Sequence, residues 1–183
     1  MKKCLNLGCQ VHHFDSNGDC EWINQDIVQD DPNIRAEIYS DANHLPLEDN
    51  SIDFIYAGHL VEHYYPDTLS SAVREWHRVL RRGGCLVVIT PDSGMCFNLY
   101  ADGRLKMEDL FQQVYGRIYS TDRREETHHM IFDRISLAKE MNIGASWSKT
   151  EDLDFRRIPS ELEPFMDSEI SRGALQLGLV LTK

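Results

Sequence analysis

Ile52-Asp53-Phe54-Ile55-Tyr56-Ala57, a helical stretch from Leu69 to Leu80, then Gly83-Gly84 and Cys85-Leu86-Val87-Val88-Ile89-Thr90 decide the fold of this chain. Both short runs are almost wholly apolar, the second β-branched and stopped by Pro91. Continuous apolar runs of that length are what strands covered on both faces look like. Between them Leu69, Ala72, Val73, Trp76, Val79 and Leu80 fall at steps of three and four, a single apolar stripe on a helix. Asp67, after Pro66, reads as the cap of that helix. Arg78, Arg81 and Arg82 load its last turn with positive charge, and Gly83-Gly84 reads as its end. Strand, helix and strand in this order make a βαβ unit, which predicts a parallel sheet.

Working outward, Lys3 to Leu7 reads as a buried strand ending at Gly8, Trp22 to Ile27 as a second, and Ala36 to Ser40 as a weaker third. The stretch from Val11 to Glu21 is short and polar with Asn17-Gly18 inside it, so a loop or a single turn is expected there. Downstream, Met107, Leu110, Phe111, Val114, Tyr115 and Ile118 predict an amphipathic helix in a segment inserted at about 93–131. Asp133 is placed to cap a further helix carrying Leu137, Ala138 and Met141, with Gly144 as its stop. Trp147 to Phe155 and Ala174 to Thr182 read as strands closing the sheet. A chain of 183 residues makes one domain on these signals.

Nineteen Lys and Arg against 30 Asp and Glu leave a net charge of −11. That argues against nucleic acid or an anionic membrane as partner, both of which need a broad basic face. No apolar run approaches the roughly 20 residues of a membrane helix. Met1-Lys2-Lys3 has no long apolar stretch behind it, so no signal peptide is expected. The five cysteines at 4, 9, 20, 85 and 96 form no Cys-x-x-Cys pair, and the cytoplasm is the compartment this implies.

In an open parallel sheet, ligands bind beyond the carboxyl ends of the strands. The residues there are Gly8-Cys9-Gln10, Asp26, Asp41, Gly58-His59 and Pro91-Asp92. Gly8 lets main chain approach a ligand. Asp26 stands 18 residues after Gly8, near the spacing at which an acidic side chain accepts both hydroxyls of a ribose. Asp41 is placed to accept from an exocyclic amine such as that of adenine. Gly8 is followed by Cys9-Gln10-Val11-His12-His13, without the further glycines of a dinucleotide loop, and a P-loop lysine is missing. An adenosyl donor without phosphates, S-adenosylmethionine, fits this pattern.

Leu5-Asn6-Leu7-Gly8-Cys9, Trp22-Ile23-Asn24-Gln25-Asp26-Ile27, the stretch from Leu45 to Asp53, His59-Leu60-Val61-Glu62-His63, the run from Arg74 to Leu80 and Gly83-Gly84 together resemble the class I S-adenosylmethionine-dependent methyltransferases. They are most similar to the small type 11-like group that opens on L-N-L-G-C-G and a W-x-N-x-D strand, and His129 to Asp133 echoes a later family segment. The resemblance implies an α/β, Rossmann-like fold: a mostly parallel sheet flanked by helices, with an antiparallel last strand. It implies donor contacts from Asn6, Gly8, Cys9, Gln10, Asp26, Ile27, Asp41, Ala42, Gly58 and His59. Gln10 stands where the family usually has a second glycine. Without a first crossover helix, the floor under the methionine end is left to another source, a partner subunit of a homo-oligomer among them.

Methyl transfer from a sulfonium leaves the protein mainly alignment and, for an oxygen acceptor, a general base. His59 leads the candidates because its strand end faces the crevice; His63, Asp92, His128 and His129 follow. The expected acceptor is a small molecule, sugar-like or anionic, methylated on oxygen or nitrogen. Tyr100, Tyr115, Tyr119, Arg117, Arg123 and Arg124 of the inserted segment would form an acceptor-side cap. Two other readings compete. His59-Leu60-Val61-Glu62-His63 spells the H-x-x-E-H of a zinc hydrolase, which needs one helix through all five residues and a third ligand downstream. No metal is expected on that count. The other is a degenerate domain that holds an adenosyl ligand without catalysis.

Overall fold

The computed structural model describes residues 1–116, 127–163 and 175–183. Seven strands form one sheet: β1 (Lys2–Leu7), β2 (Cys20–Asp26), β3 (Ile38–Tyr39), β4 (Ile52–Gly58), β5 (Leu80–Pro91), β6 (Lys149–Asp152) and β7 (Gln176–Thr182). Their order is β3-β2-β1-β4-β5-β7-β6. The first five run parallel, and β7 lies antiparallel between β5 and β6. The α/β, mostly parallel, Rossmann-like sheet with an antiparallel last strand is therefore as expected.

Successive residues of a strand face opposite sides of the sheet, and here both sides are buried. Leu5, Leu7, Ile55, Ala57, Leu86 and Val88 meet the apolar stripes of α1 (Leu69–Val79) and the later helix α4 (Arg134–Gly144). On the other side Cys4, Trp22, Phe54, Tyr56, Val87 and Ile89 are covered by Phe14, Leu153 and Leu162, which belong to no helix. Phe14 takes the place a crossover helix would fill between β1 and β2. Its ring lies edge-on to Trp22 at 4.9 Å and stacks on Tyr56 at 5.5 Å. The buried Asn24 amide fixes the backbone of the same residue, accepting from Phe14 N at 2.9 Å and donating to its carbonyl at 3.1 Å. Asn6 adds a bond from Nδ2 to the His12 carbonyl. A loop pinned by two side-chain amides satisfies its buried polar groups without helical bonds.

The βαβ unit forms, with shifted boundaries. Thr68, not Asp67, holds the N-cap position of α1, and no side chain caps it. The helix stops at Val79 because Leu80 turns extended and pairs with Ile52 of β4, so β5 runs through Gly83-Gly84 instead of starting after them. Arg81 and Arg82 consequently lie on the strand, where Arg81 pairs with Asp53. Gly144 does not stop α4 by a turn of the chain; it is its last residue, and a Cβ there would meet Val73 of α1 at 2.4 Å. Asp133 caps α4 through a reciprocal pair with Ser136, as expected.

Two helices follow β5. α2 (Ser93–Ala101) has no apolar stripe and was not foreseen, whereas α3 (Met107–Tyr115) covers the described part of the expected helix. Ile118, Arg117, Tyr119, Arg123, Arg124 and Ala174 lie outside the described residues. Among the described residues no helix is long and apolar enough to cross a membrane.

Candidate active site

The strand order reverses at β1, whose neighbours β2 and β4 lead away in opposite directions. A cavity of about 440 Å³ opens beyond the carboxyl ends of these three strands, the place where open α/β sheets hold ligands. Of the residues expected to contact the donor, Gly8, Gln10, Asp26, Ile27, Asp41, Ala42 and His59 line it. Asn6, Cys9 and Gly58 are outside its lining. Asn6 holds the loop beneath, the Cys9 thiol faces the carbonyls of Gln10 and Arg35, and Gly58 is packed so closely that a Cβ would meet the Tyr56 hydroxyl at 2.1 Å. Burial pushes the Cys9 thiol up to about 12.

The loop after β1 is tied to β2 three times. Gly8 N donates to Gln25 Oε1 at 3.2 Å, Cys9 N to the Gln25 carbonyl at 3.0 Å, and Gln10 N to Asp26 Oδ2 at 2.7 Å. Gly8 has φ +60°, and Gln10, in place of the family's glycine, still takes φ +45°. The loop thus keeps a left-handed bend that glycine would adopt without strain. Asp26 is buried, and its other oxygen accepts from Val28 N at 2.9 Å. On the far wall Trp76 Nε1 donates to the Ala42 carbonyl at 3.0 Å, and Asp41 accepts from Asn43 N at 2.8 Å. The side-chain oxygen Oδ1 of Asn43 is buried without a hydrogen bond. Gln25, Asn43, Leu60, Tyr64 and Tyr65 also line the cavity. Of these, Gln25, beside Asp26 in a strand-end motif, and Leu60, inside the His59–His63 motif, carry a signal in the sequence.

His59 stands directly after β4 with φ +51°, its N–H bonded to the Ile89 carbonyl at 2.8 Å. Gln176 Nε2 lies 3.0 Å from His59 Nε2 and, as the donor there, leaves the proton of the neutral ring on Nδ1. Nδ1 faces Glu62 Oε1 at 3.3 Å. Glu62 follows in a single 3-10 turn, Val61–His63, and its Oε2 accepts from Thr90 Oγ1 at 3.0 Å. Burial pushes the Glu62 carboxyl up, but contact with His59 and the nearby charges of His59, His63 and His128 outweigh it, so the group is held below the usual carboxylate range. His63 lines the cavity beside His59. His128 stacks edge-on to His63 at 5.0 Å, and burial depresses its pKa. His129 stacks on Tyr65 at 4.0 Å, at the cavity's edge. Asp92 caps α2, accepting from Met95 N at 2.8 Å, which gives its carboxylate a structural task. The helix that a zinc-hydrolase reading of H-x-x-E-H requires does not form, because His59 lies in the left-handed region.

A doubly wound sheet with its cavity at the switch point, an acidic residue at the tip of β2 and no phosphate loop defines a Rossmann-like nucleoside-binding domain. Residues 2–88 match the family model described as a methyltransferase domain. The fold is similar to that of a SAM-dependent methyltransferase from Archaeoglobus fulgidus (15% identity, 100% of this chain and 86% of that one, TM-score 0.59). It is also similar to one from Methanosarcina mazei (16%, 98% and 90%, 0.55). A third is 1,6-didemethyltoxoflavin-N1-methyltransferase from Burkholderia thailandensis, solved with 1,6-didemethyltoxoflavin and S-adenosylhomocysteine (12%, 100% and 71%, 0.57). No curated protein sequence matches the chain. The family match and the fold agree with the resemblance to class I S-adenosylmethionine-dependent methyltransferases carried by the motifs.

Proposed function

We propose that this protein transfers a methyl group from S-adenosylmethionine to an oxygen or nitrogen atom of a small molecule. The observation that carries the reading is the buried Asp26 carboxylate at the tip of β2, lining the cavity beside the bent loop at Gly8. The residues present suit the donor: Gly8 offers bare main chain, where a Cβ would press on Leu60 at 2.9 Å, and Oδ1 of the Asn43 side chain is buried with a bond to spare. When bound, the donor supplies an electrophilic methyl on a sulfonium, released with a neutral thioether as leaving group.

The chain's own part is binding, orientation and proton removal. Asp26 receives the ribose hydroxyls, Ile27, Val28 and Ile34 flank the base, and Asp41 with Ala42 meets its amine edge. His59 takes the acceptor's proton on Nε2 after Gln176 swings aside, while Glu62 steadies the resulting imidazolium through Nδ1. The described residues after β5, 93–116, are read as part of the acceptor-side cap, in which the exposed Phe97, Tyr100 and Tyr115 suit a flat or sugar-like acceptor. The net charge of −11 favours a small molecule over nucleic acid.

The test is a thermal-shift comparison with S-adenosylhomocysteine, NAD and ATP. A ligand at about 100 times its dissociation constant adds about 2.7 kcal/mol of stability, and only the homocysteine compound is expected to raise the melting temperature. A shift with NAD or ATP in its place overturns the donor assignment. Tight binding without transfer to any acceptor in a broad panel favours a binding protein over an enzyme.

A further inference from the structure

We propose that Glu62, His63 and His128 bind one divalent transition-metal ion of the zinc type in the wall of the cavity. One ligand atom from each, a carboxylate oxygen and two imidazole nitrogens, lies within 4.8 Å of the others. Tetrahedral ligands about 2.1 Å from an ion stand roughly 3.4 Å apart, so closing on the ion asks only for small side-chain rotations. Adjacent residues on a 3-10 turn supply two ligands and the residues leading into α4 supply the third.

The surroundings hold the three groups ready. His129 N and Met130 N donate to the Glu62 carbonyl at 2.8 and 3.1 Å, stitching the segment that carries His128 to the turn of Glu62. His63 Nδ1 meets the Thr127 carbonyl at 3.2 Å, and His128 Nδ1 meets the Gln113 carbonyl at 3.1 Å. A carbonyl only accepts, so each Nδ1 carries the proton and each Nε2 keeps its lone pair. This is the outer arrangement that orients metal-binding imidazoles. Glu62 supplies the independent observation. Its side chain is 2% exposed, and Oε1, which faces His59 Nδ1 at 3.3 Å, makes no well-formed hydrogen bond. A buried carboxylate needs a lasting counter-charge, and a divalent ion provides one. Two imidazoles and one carboxylate suit zinc and its neighbours, while magnesium and calcium prefer oxygen alone.

The site differs from the one the H-x-x-E-H string suggests. His59 is turned toward Gln176, and its place as ligand falls to His128. The inference shares Glu62 with the proposed proton removal at His59, but metal binding itself needs only the three side chains.

The experiment titrates chelator-stripped protein with Zn2+, and separately with Mg2+, by calorimetry. One equivalent of Zn2+ is expected to bind and Mg2+ at the same concentration to give no heat. His63→Gln and His128→Gln should each weaken Zn2+ binding at least about tenfold, whereas His44→Gln, at an exposed position, leaves it unchanged. Because the chain has five free cysteines, Co2+ loading is read as well: visible d–d bands without thiolate charge-transfer bands are expected. Absent stoichiometric binding, equal binding by the histidine variants, or thiolate bands would overturn the site. Should His128→Gln fail to fold by circular dichroism, His63→Gln and the Co2+ spectrum decide alone. S-adenosylhomocysteine binding measured on the same samples separates the two proposals. Wild-type protein that binds S-adenosylhomocysteine but no Zn2+ rejects this site, and wild-type protein that binds Zn2+ but no S-adenosylhomocysteine rejects the donor pocket.

Discussion

The main-chain N–H of Gln10 donates to Asp26 Oδ2 at 2.7 Å, so the loop after β1 hangs on the carboxylate at the tip of β2. The second oxygen of the same carboxylate takes Val28 N at 2.9 Å. Asp26 therefore shapes the cavity as well as lining it.

Asp26→Ala should cost twice. It strands two backbone N–H groups, about 1–3 kcal/mol for each that stays buried and unpaired, and it removes the acceptor for the ribose. Expected are a clear drop in urea midpoint and a fall of roughly 10- to 100-fold in S-adenosylhomocysteine affinity. Asp26→Asn keeps one acceptor oxygen and should fall between the two. Calorimetry showing unchanged affinity in the alanine variant would remove Asp26 from the site.

Gln10→Gly should stabilise the protein. Gln10 has φ +45°, a conformation that costs a residue with a side chain about 1–2 kcal/mol. Glycine avoids that cost but gives back roughly 0.5–1 kcal/mol through the freer unfolded chain. The net gain is about 0.5–1 kcal/mol, a rise of roughly 1–4 °C in melting temperature for a domain of this size. A lowered melting temperature would mean that the Gln10 side chain contributes more than its backbone loses.

Local pattern made much of this legible in the sequence. The apolar runs of β4 and β5, the stripe of α1 and the cap at Asp133 depend on neighbours a few residues away, and each was readable. The end of α1 was not, because Leu80 obeys its partner Ile52 across the sheet and not the glycines that follow it. The helix Ser93–Ala101 escaped notice because Met95, Phe97 and Tyr100 leave its apolar groups exposed on several sides. The missing crossover helix was readable from Asn17-Gly18, but not the amide of Asn24 that holds Phe14 in its place. The strand-end residues of the cavity were foreseen on a topological rule. His59 with Gln176, 117 residues apart, and Glu62 with His128 are products of the fold, and no spacing announces them.

Gly8→Ala tests the other side of the loop. Gly8 has φ +60°, and an added Cβ would press on Leu60 Cδ1 at 2.9 Å. Backbone strain of about 1–2 kcal/mol should appear in chemical denaturation. Leu60 lines the cavity, so a shift of its side chain into that space should lower adenosyl affinity more than stability. Equal affinity for wild type and variant would show that the ligand does not approach this stretch of main chain.

Acid lability offers the last test. Glu75 joins α1 to the loop before β4: Oε1 accepts from Leu45 N at 2.7 Å, and Arg78 grips both oxygens at 2.7 and 2.8 Å. The Arg78 guanidinium holds the carboxyl below its ordinary value of 4.5, against the opposing push of burial, and Leu45 N–H adds to the effect. The folded chain thus protonates Glu75 at a lower pH than the unfolded chain does. Its contribution is fully present above about 4.5 and is lost as pH falls from there through the depressed folded value. Arg78 is one-third exposed, so solvent screening leaves about 1 kcal/mol at neutral pH. Glu75→Gln should be less stable than wild type at pH 7 and nearly equal to it at pH 3 in urea unfolding. Asp133 and Glu161, also held low, keep an acid slope in both proteins. A gap between them that persists unchanged at pH 3 would show that the charge on Glu75 is not what fastens the loop.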